Sequence, residues 1–306
     1  MNGMDKVNNT LDEWFEKNYP DYSKIENLYH YTSVDALESL TQKGGDFRLT
    51  HYKFLNDRSE FDIGRQSIIE ILQDLNLEYN EKYLQEMQGK EFEEGFLRKT
   101  YLTPWIASFS AERDSLYQWI AYTPRDKGGI ALSLNAQELL QKVQMANTSY
   151  GRFNCDAGLV PCIYLVPCFY KNQDADRLSK FVDFLFGTYL PDVQSRCKTE
   201  EGRRTAFYEV VMIGSSLIKH DAFHFEQEWR IVFLPNQAEQ MKSIMPYGNK
   251  LASGLWGSKH SFGHDVKEVM LSPHGDRDAL RKKVKWIKDM RSLPFESSVS
   301  DAPYVG

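Results

Sequence analysis

Cysteine is scarce in this chain. Four thiols (Cys155, Cys162, Cys168, Cys197) among 306 residues are too few and too irregularly spaced for a disulfide framework. With no C-x-x-C pair, a structural zinc site has little support. A surplus of positive charge is also missing: 37 lysines and arginines face 43 aspartates and glutamates, for a net charge of -6. Binding to a phosphate backbone is driven by cations that release counterions, so the composition disfavours a nucleic-acid partner without excluding a local basic groove. No long hydrophobic run is present. The most apolar stretch, GLVPCIYLVPCFY (158–170), is too short to span a bilayer and carries two prolines. The start, MNGMDKVNNTLDEW, lacks the basic and apolar segments of a signal peptide, so a reducing cytoplasm is expected. Neither a glycine-rich phosphate loop nor a G-x-S-x-G, Walker-type or H-E-x-x-H motif occurs, which removes the usual sequence support for those chemistries.

What is there reads as interspersed helices and strands. Thr10 with Glu13 fits a capping box for a short helix that Pro20 ends. LYHYT (28–32) has the aromatic content of a strand, and SVDALESLTQKGG reads as a helix capped by Thr32 or Ser33 and closed by Gly44-Gly45. FRLTHYKF begins as a strand, and residues 62–99 read as a charged, solvent-facing helical insertion. WIASFS (105–110) is a further strand; Asp114 is placed to cap the helix SLYQWIAY, and GIALSL alternates as a strand does. Another strand is expected between Cys162 and Tyr170, and a second helical insertion near 175–220 has Phe207, Val210, Val211, Leu217 and Ile218 as its core side.

EQEWRIVF (226–233) is the clearest strand, with Glu226, Glu228 and Arg230 on one face and Trp229, Ile231 and Phe233 on the other. KEVMLSP, the helix DRDALRKKVKWIKDM capped by Asp276, and an edge strand in SVSDAPYVG complete the chain. No regular βαβ repeat or linker is visible. The expected class is therefore α+β: a helical extension over residues 1–24, then one domain over 25–306 with a mixed, mostly antiparallel sheet.

Four stretches offer chemistry. His30 and Thr32, two apart on a strand, share a face where an imidazole and a hydroxyl can hold a ribose; they serve equally as a backbone-bonded ring and a helix cap. Asp57 and Glu60 offer two carboxylates beside the Arg58 guanidinium, and with Asn56 they also make a turn followed by a helix start. Ser108 and Ser110 share a strand face and are placed to brace a neighbouring group. Trp119 and Tyr122 lie on one helix side, where Trp119 reads as core and Tyr122 as the better stacking partner for a flat ring. Glu226, Glu228 and Arg230 either face water or line a cleft, since three charges in a row are costly to bury unpaired. The i,i+4 pairs His220/His224 and His260/His264 lack a third ligand, so no metal is expected.

These blocks resemble, in order, a bacterial domain-of-unknown-function family, number 2971: a YHYTS-like start (Leu28–Ser33), an L-N-D-x-x-E block (Leu55–Glu60), an F-S then W-x-x-Y segment (Phe109–Gly129), K-x-x-x-F-x-x-E-x-E-W-R (Lys219–Arg230) and a late P-Y (Pro303-Tyr304). The H-x-T strand, the helix after it, the aromatic and serine block and the late-strand glutamate also resemble the ADP-ribosyltransferase arrangement. That resemblance implies an NAD-consuming enzyme in which His30, Tyr31 and Thr32, with Ser108, Ser110 and Arg230, hold NAD, Tyr122 or Trp119 stacks on nicotinamide, and Glu228, Glu226 and His30 are catalytic. It implies transfer of ADP-ribose to a protein or nucleic acid, or hydrolysis, without a metal or a membrane. A toxin or anti-phage effector, with a partner protein in a defence system, is the role the analogy suggests. Two other readings stand beside it: a magnesium nuclease built on Asp57, Glu60, Glu226 and Glu228, and a non-catalytic nucleotide-sensing or partner-binding module.

Overall fold

A strand that is buried on both faces needs residues that either pack or pair, and the stretch ending in EWRIVF supplies both. In the computed structural model, β10 (Glu228–Phe233) is buried at all six positions. Trp229, Ile231 and Phe233 each contribute on the order of 1.5–3 kcal/mol by leaving water, and the charges on the other face are paired. The structure describes residues 11–42, 45–55, 59–75, 81–88, 103–150, 152–153, 159–160, 163–234, 250–252 and 262–303. Asn56, Asp57, Arg58, Gly44, Thr10, His260 and Tyr304 therefore lie outside the described residues.

Around β10 the chain builds a nine-stranded sheet. Its strands include β1 (Asn27–Thr32), β2 (Arg48–His51), β3 (Trp105–Ser110), β4 (Ile130–Asn135), β7 (Ile163–Pro167), β11 (Lys250–Ala252), β12 (Val266–Leu271) and β13 (Glu296–Val299), with β5 (Arg152–Phe153) and β6 (Leu159–Val160) forming a separate pair. The main path runs β11-β2-β3-β1-β4-β12-β13, with β10 joined to β3 and β7 joined to β10. Every pairing in this sheet is antiparallel except β12 with β13, which makes the sheet mixed but mostly antiparallel. Helices interrupt it at several points, giving a single α+β domain. No described helix is long and apolar enough to cross a membrane.

One junction positions the site. β10 pairs with one edge of β3 along its whole length, from Glu228↔Ser110 to Phe233↔Trp105. The other edge of β3 is shared: β2 pairs at Trp105 and Ile106, and β1 touches only at Tyr29↔Ser110. The sheet thus splits between β1 and β3. His30 bridges the split, its Nδ1 donating to the Ser108 carbonyl at 2.9 Å. Because a carbonyl only accepts, the proton must sit on Nδ1.

The helices follow local chemistry. Ser33 rather than Thr32 caps α2 (Val34–Thr41), accepting from the Ala36 N–H at 3.2 Å. Leu11, Trp14 and Phe15 of α1 (Leu11–Asn18) are buried, with the Trp14 and Phe15 rings packed among those of Phe169 and Phe181. The expected solvent-facing lobe after residue 62 is corrected in part. α3 (Glu60–Asp74) buries Ile68, Ile69 and Leu72, and Gly64 lets it approach the Ser215 backbone of α9 (Glu200–Ser215) closely. α4 (Glu81–Gln88) follows it, and residues 89–102 lie outside the described set. Asp114 is not the cap of α5 (Leu116–Tyr122). It accepts instead from Trp119 Nε1, the Ser300 hydroxyl and the Asp301 N–H, tying the segment after β13 to the α5 start. α6 (Ala136–Tyr150) follows β4, then α7 (Ala175–Phe184), α8 (Leu190–Ser195) and α9 make up the second helical insertion; Asp276 caps α10 (Arg277–Arg291) as expected.

Candidate functional site: a charged cluster beneath an aromatic cleft

The sequence reading placed Glu226 on the same strand as Glu228; the backbone does otherwise. Glu226 ends a short helical turn (Asp221–Glu226), and Gln227 adopts left-handed dihedrals, φ 42° and ψ 53°. A residue with a Cβ enters that region at a cost, so the corner is held by bonds: the Gln227 N–H and side-chain amide both donate to the His224 carbonyl, at 3.2 and 2.8 Å. The kink folds Glu226 back beside Glu228. Ser110 then fixes it, its hydroxyl donating to the Glu226 carbonyl at 2.6 Å, and Gln118 Nε2 donates to the same carbonyl at 3.2 Å.

Lys219 arrives from β9 (Ile218–Lys219), which pairs in parallel with β8 (Phe169–Tyr170). Its ammonium contacts all three neighbouring carboxylates: Glu60 at 3.1 Å, Glu226 at 2.5 Å, and Glu228. Three donors meet three acceptors, which saturates a lysine. Arg230 is equally committed, with Nε on Glu228 at 2.8 Å, Nη2 on Glu60 at 2.8 Å, and Nη1 on the Ser216 carbonyl at 2.5 Å. Tyr122 donates to the remaining oxygen of Glu226 at 2.6 Å, and the Tyr170 hydroxyl accepts from the Glu228 N–H at 2.9 Å.

These charges are buried: Glu60, Lys219, Glu226, Glu228 and Arg230 are all exposed by 6% or less. Three carboxylates oppose two cations, so one proton makes the cluster neutral. Burial pushes the Glu226 carboxyl up, against the pull of Lys219. Glu228 behaves oppositely, since the opposing effect of burial is outweighed by Arg230 and then Lys219, which hold it well below the ordinary carboxylate range. Burial would likewise lower the Lys219 ammonium, but Glu228, Glu60 and Glu226 outweigh it and hold the charge. Tyr122 is pushed up by burial and by Glu226, so it stays a donor.

The cluster floors a cleft of about 650 Å³, within the usual range for small-molecule sites. Phe47, Phe54, Tyr117, Tyr122 and Phe223 give it aromatic walls; His30, Arg48, Thr50 and Ser108 give polar ones. Phe54 and Tyr117 are 56% and 38% exposed. Behind this cleft, a smaller cavity of about 60 Å³ is lined by residues that include Gln118, His30, Ser108, Tyr122, Glu226 and Glu228.

The structure brings His30, Ser108, Tyr122, Glu226, Glu228 and Arg230 to this one place, with Glu60. It leaves others out of the main cleft. Trp119 is fully buried, its indole N–H bonded to Asp114 at 2.7 Å, and its ring meets Tyr31 edge-on; it packs and is not placed to stack on a ligand. The Tyr31 hydroxyl donates to the Glu112 carbonyl and accepts from the Ser115 N–H, fixing the loop before α5. Ser110 is fully buried beneath Glu226, and Thr32 is not among the residues lining either cavity. Among the described residues, no group of three or more histidine, cysteine or acidic side chains is arranged to hold a metal ion.

Comparison with known proteins adds one observation. Residues 118–231 match DUF2971, a protein family of unknown function. The DUF2971 stretch includes Gln118, Tyr122, Lys219, Glu226, Glu228 and Arg230, whereas His30 and Glu60 precede it. No curated protein and no solved structure matches the chain, so the resemblance to ADP-ribosyltransferases has no counterpart there. Sequence reasoning passed over Lys219 and Gln118 as site residues. The signal for Lys219 was its place at the head of the K-x-x-x-F-x-x-E-x-E-W-R block, and Gln118, four residues before Tyr122, shares a helix face with it.

Proposed function

We propose that the cleft binds a nucleotide-type ligand, a planar ring carried on a hydroxylated sugar, and that the protein acts as a nucleotide-binding module. The observation that carries this reading is the pairing of exposed aromatic rings, Phe54 and Tyr117, with a dry, charged floor in one cleft of about 650 Å³. An exposed ring offers a stacking face to a base. Carboxylates held rigid by Lys219 and Arg230 offer acceptors to sugar hydroxyls without reorganisation, and Arg48 places a cation on the wall for a phosphate. The saturated ion pairs favour holding a ligand over attacking one. A thermal-shift panel tests this: adenosine monophosphate, ADP-ribose and NAD raise the melting temperature, and ribose 5-phosphate, lacking the ring, raises it least. Equal or absent shifts across the panel contradict the reading.

One observation favours a second reading, in which the bound nucleotide is NAD and is consumed. Adjacent carboxyls driven apart in acidity, Glu226 upward and Glu228 downward, are the arrangement of acid–base and charge-stabilising partners. In that reaction the bond between nicotinamide and ribose breaks, and its electron pair leaves with neutral nicotinamide. Glu228 stabilises the cationic sugar carbon, as in glycoside hydrolysis. The acceptor hydroxyl then adds and yields its proton to a neighbouring carboxylate. Release of nicotinamide from NAD, lost in Glu228→Gln, supports this; no release with or without cell extract, while binding persists, leaves the module alone. A cytoplasmic toxin or defence effector acting on a protein or nucleic acid belongs to this second reading by analogy. A magnesium nuclease has less support, because Lys219 and Arg230 already supply the positive charge that a metal ion would otherwise bring to Glu60, Glu226 and Glu228.

A further inference from the structure

The small cavity behind the cleft has a chemistry of its own. It lies where β1 and β3 part, and it shares His30, Ser108, Tyr122, Glu226 and Glu228 with the main cleft. Its volume of about 60 Å³ is the space of roughly two liquid waters, so it admits a substituent and excludes a ring. Tyr29, Tyr31, Phe109, Ser110 and Gln118 line it and not the main cleft, and of these Gln118, 5% exposed, brings a side-chain amide.

The orientation of the Gln118 amide is fixed by its partner. The group bonded to it is the Glu226 backbone carbonyl, which only accepts, so the side-chain nitrogen must face it, at 3.2 Å. The amide oxygen then remains to accept, with the second N–H of the same amide beside it. The cavity lining adds further acceptors: the Tyr122 hydroxyl, whose proton is given to Glu226, and the carboxylate oxygens of Glu226 and Glu228. Lys219 is saturated by three carboxylates, and Arg230 commits four of its five N–H groups to Glu228, Glu60 and the Ser216 carbonyl. The donors the cavity lining offers are therefore the second Gln118 N–H and the Ser108 hydroxyl. A cavity in which acceptors outnumber donors, two of them carboxylates, favours a group that donates. It rejects an anion in the same place, because negative charge would be left facing the buried carboxylates.

We infer that the inner cavity is a specificity subsite for an uncharged –NH2 group carried on the planar ring of the ligand, with Gln118 as the residue that reads it. This rests on the nucleotide reading of the cleft and names the class of ring it takes. A ring amine and a carboxamide supply the same two donors. Acting through its amide oxygen, Gln118 contacts the ligand and leaves the charged floor to hold the sugar.

The experiment measures affinity for two matched pairs by calorimetry. Adenosine monophosphate is compared with purine riboside monophosphate, which lacks the amine, and nicotinamide riboside with nicotinic acid riboside, in which a carboxylate replaces the amide. The –NH2 member of at least one pair binds about tenfold more tightly, and the pair that shows the preference identifies the source of the group. Gln118→Met, close in shape and unable to accept, brings that ratio to within about twofold while the weaker member keeps its affinity. Folding of the variant is checked by circular dichroism, and if it fails to fold, the ratios of the native chain decide alone. Equal affinities within both pairs overturn the subsite while leaving the cleft as a nucleotide site. A ratio unchanged in folded Gln118→Met overturns the role of Gln118. Binding of none of the four ligands overturns the nucleotide reading and the subsite together.

Discussion

Lys219 holds together groups that would otherwise repel one another. Its ammonium contacts Glu60, Glu226 and Glu228 in a site with almost no access to water. Breaking a buried ion pair by removing one partner leaves uncompensated charge and costs about 3–5 kcal/mol. Lys219→Met is therefore expected to lose stability of that order, read as a drop in the urea midpoint at neutral pH, with much of the loss recovered at acid pH as the stranded carboxyls take up protons. Glu226 gives a finer test. Its folded acidity constant is raised, so the folded chain binds a proton before the unfolded chain does. That contribution is present below the ordinary glutamate range and is lost as pH rises through the folded value. Glu228, held low, contributes stability that is fully present above the ordinary glutamate range and is lost progressively as pH falls from that range through its folded value. On lowering the pH from 7 toward the ordinary range, the native chain gains stability relative to Glu226→Gln, which keeps the acceptor for Tyr122 and loses the titration. A flat difference between the two chains across that window contradicts the raised acidity constant of Glu226.

At the scale of elements, the corner at Gln227 and the contact at Gly64 decide whether the cluster can assemble. The left-handed Gln227 turns Glu226 back onto Glu228. Gln227→Gly keeps that geometry at a net change within about 1 kcal/mol, whereas the β-branched Gln227→Val cannot enter the region without a cost of about 1–3 kcal/mol. Binding falls with stability in the valine variant and survives in the glycine one. Gly64 lies against the Ser215 backbone, and a Cβ there collides with main chain that cannot rotate away. Gly64→Ala forces α3 from α9, costs about 1–3 kcal/mol, and displaces Glu60 at the α3 start from Lys219 and Arg230. Chemical denaturation reads the first effect, and the acid titration of stability reads the second.

The same two elements show what the sequence could and could not convey. Alternation in EWRIVF gave β10 and its apolar face, because period two is a local property. The placement of Glu226 was misread, because a left-handed glutamine carries no sequence signature comparable to glycine. α3 looked solvent-facing from its charges, yet Ile68, Ile69 and Leu72 are buried, and α3 packs on α9 across more than a hundred residues of chain. Asp114 had the look of a helix cap, and its actual partners, Ser300 and Asp301, come from the far end of the chain.

The whole molecule is organised by the split between β1 and β3. There His30 replaces a strand pairing with one side-chain bond, and the opening becomes the cleft wall. The α+β class and the mostly antiparallel sheet were legible from interspersed elements without a βαβ repeat. The meeting of His30, Tyr122 and Glu228 was suggested only by the order of their blocks. Glu60 was grouped with Glu226 and Glu228 in the nuclease alternative, but the convergence of Lys219 was not legible, since it depends on β8 and β9 pairing in parallel. Net charge conveyed little about the site, whose charges cancel internally.

The central claim is that this cleft binds nucleotides, and calorimetric titration of ADP-ribose tests it most directly. Ala121 lines the cleft from an exposed position on α5, outside the charged cluster, so Ala121→Trp fills the space and spares the floor. The native chain is predicted to give saturable heat at one ligand per chain, and Ala121→Trp to give none at an unchanged melting temperature. Absence of saturable heat in the native chain, or equal binding by Ala121→Trp, would contradict the account.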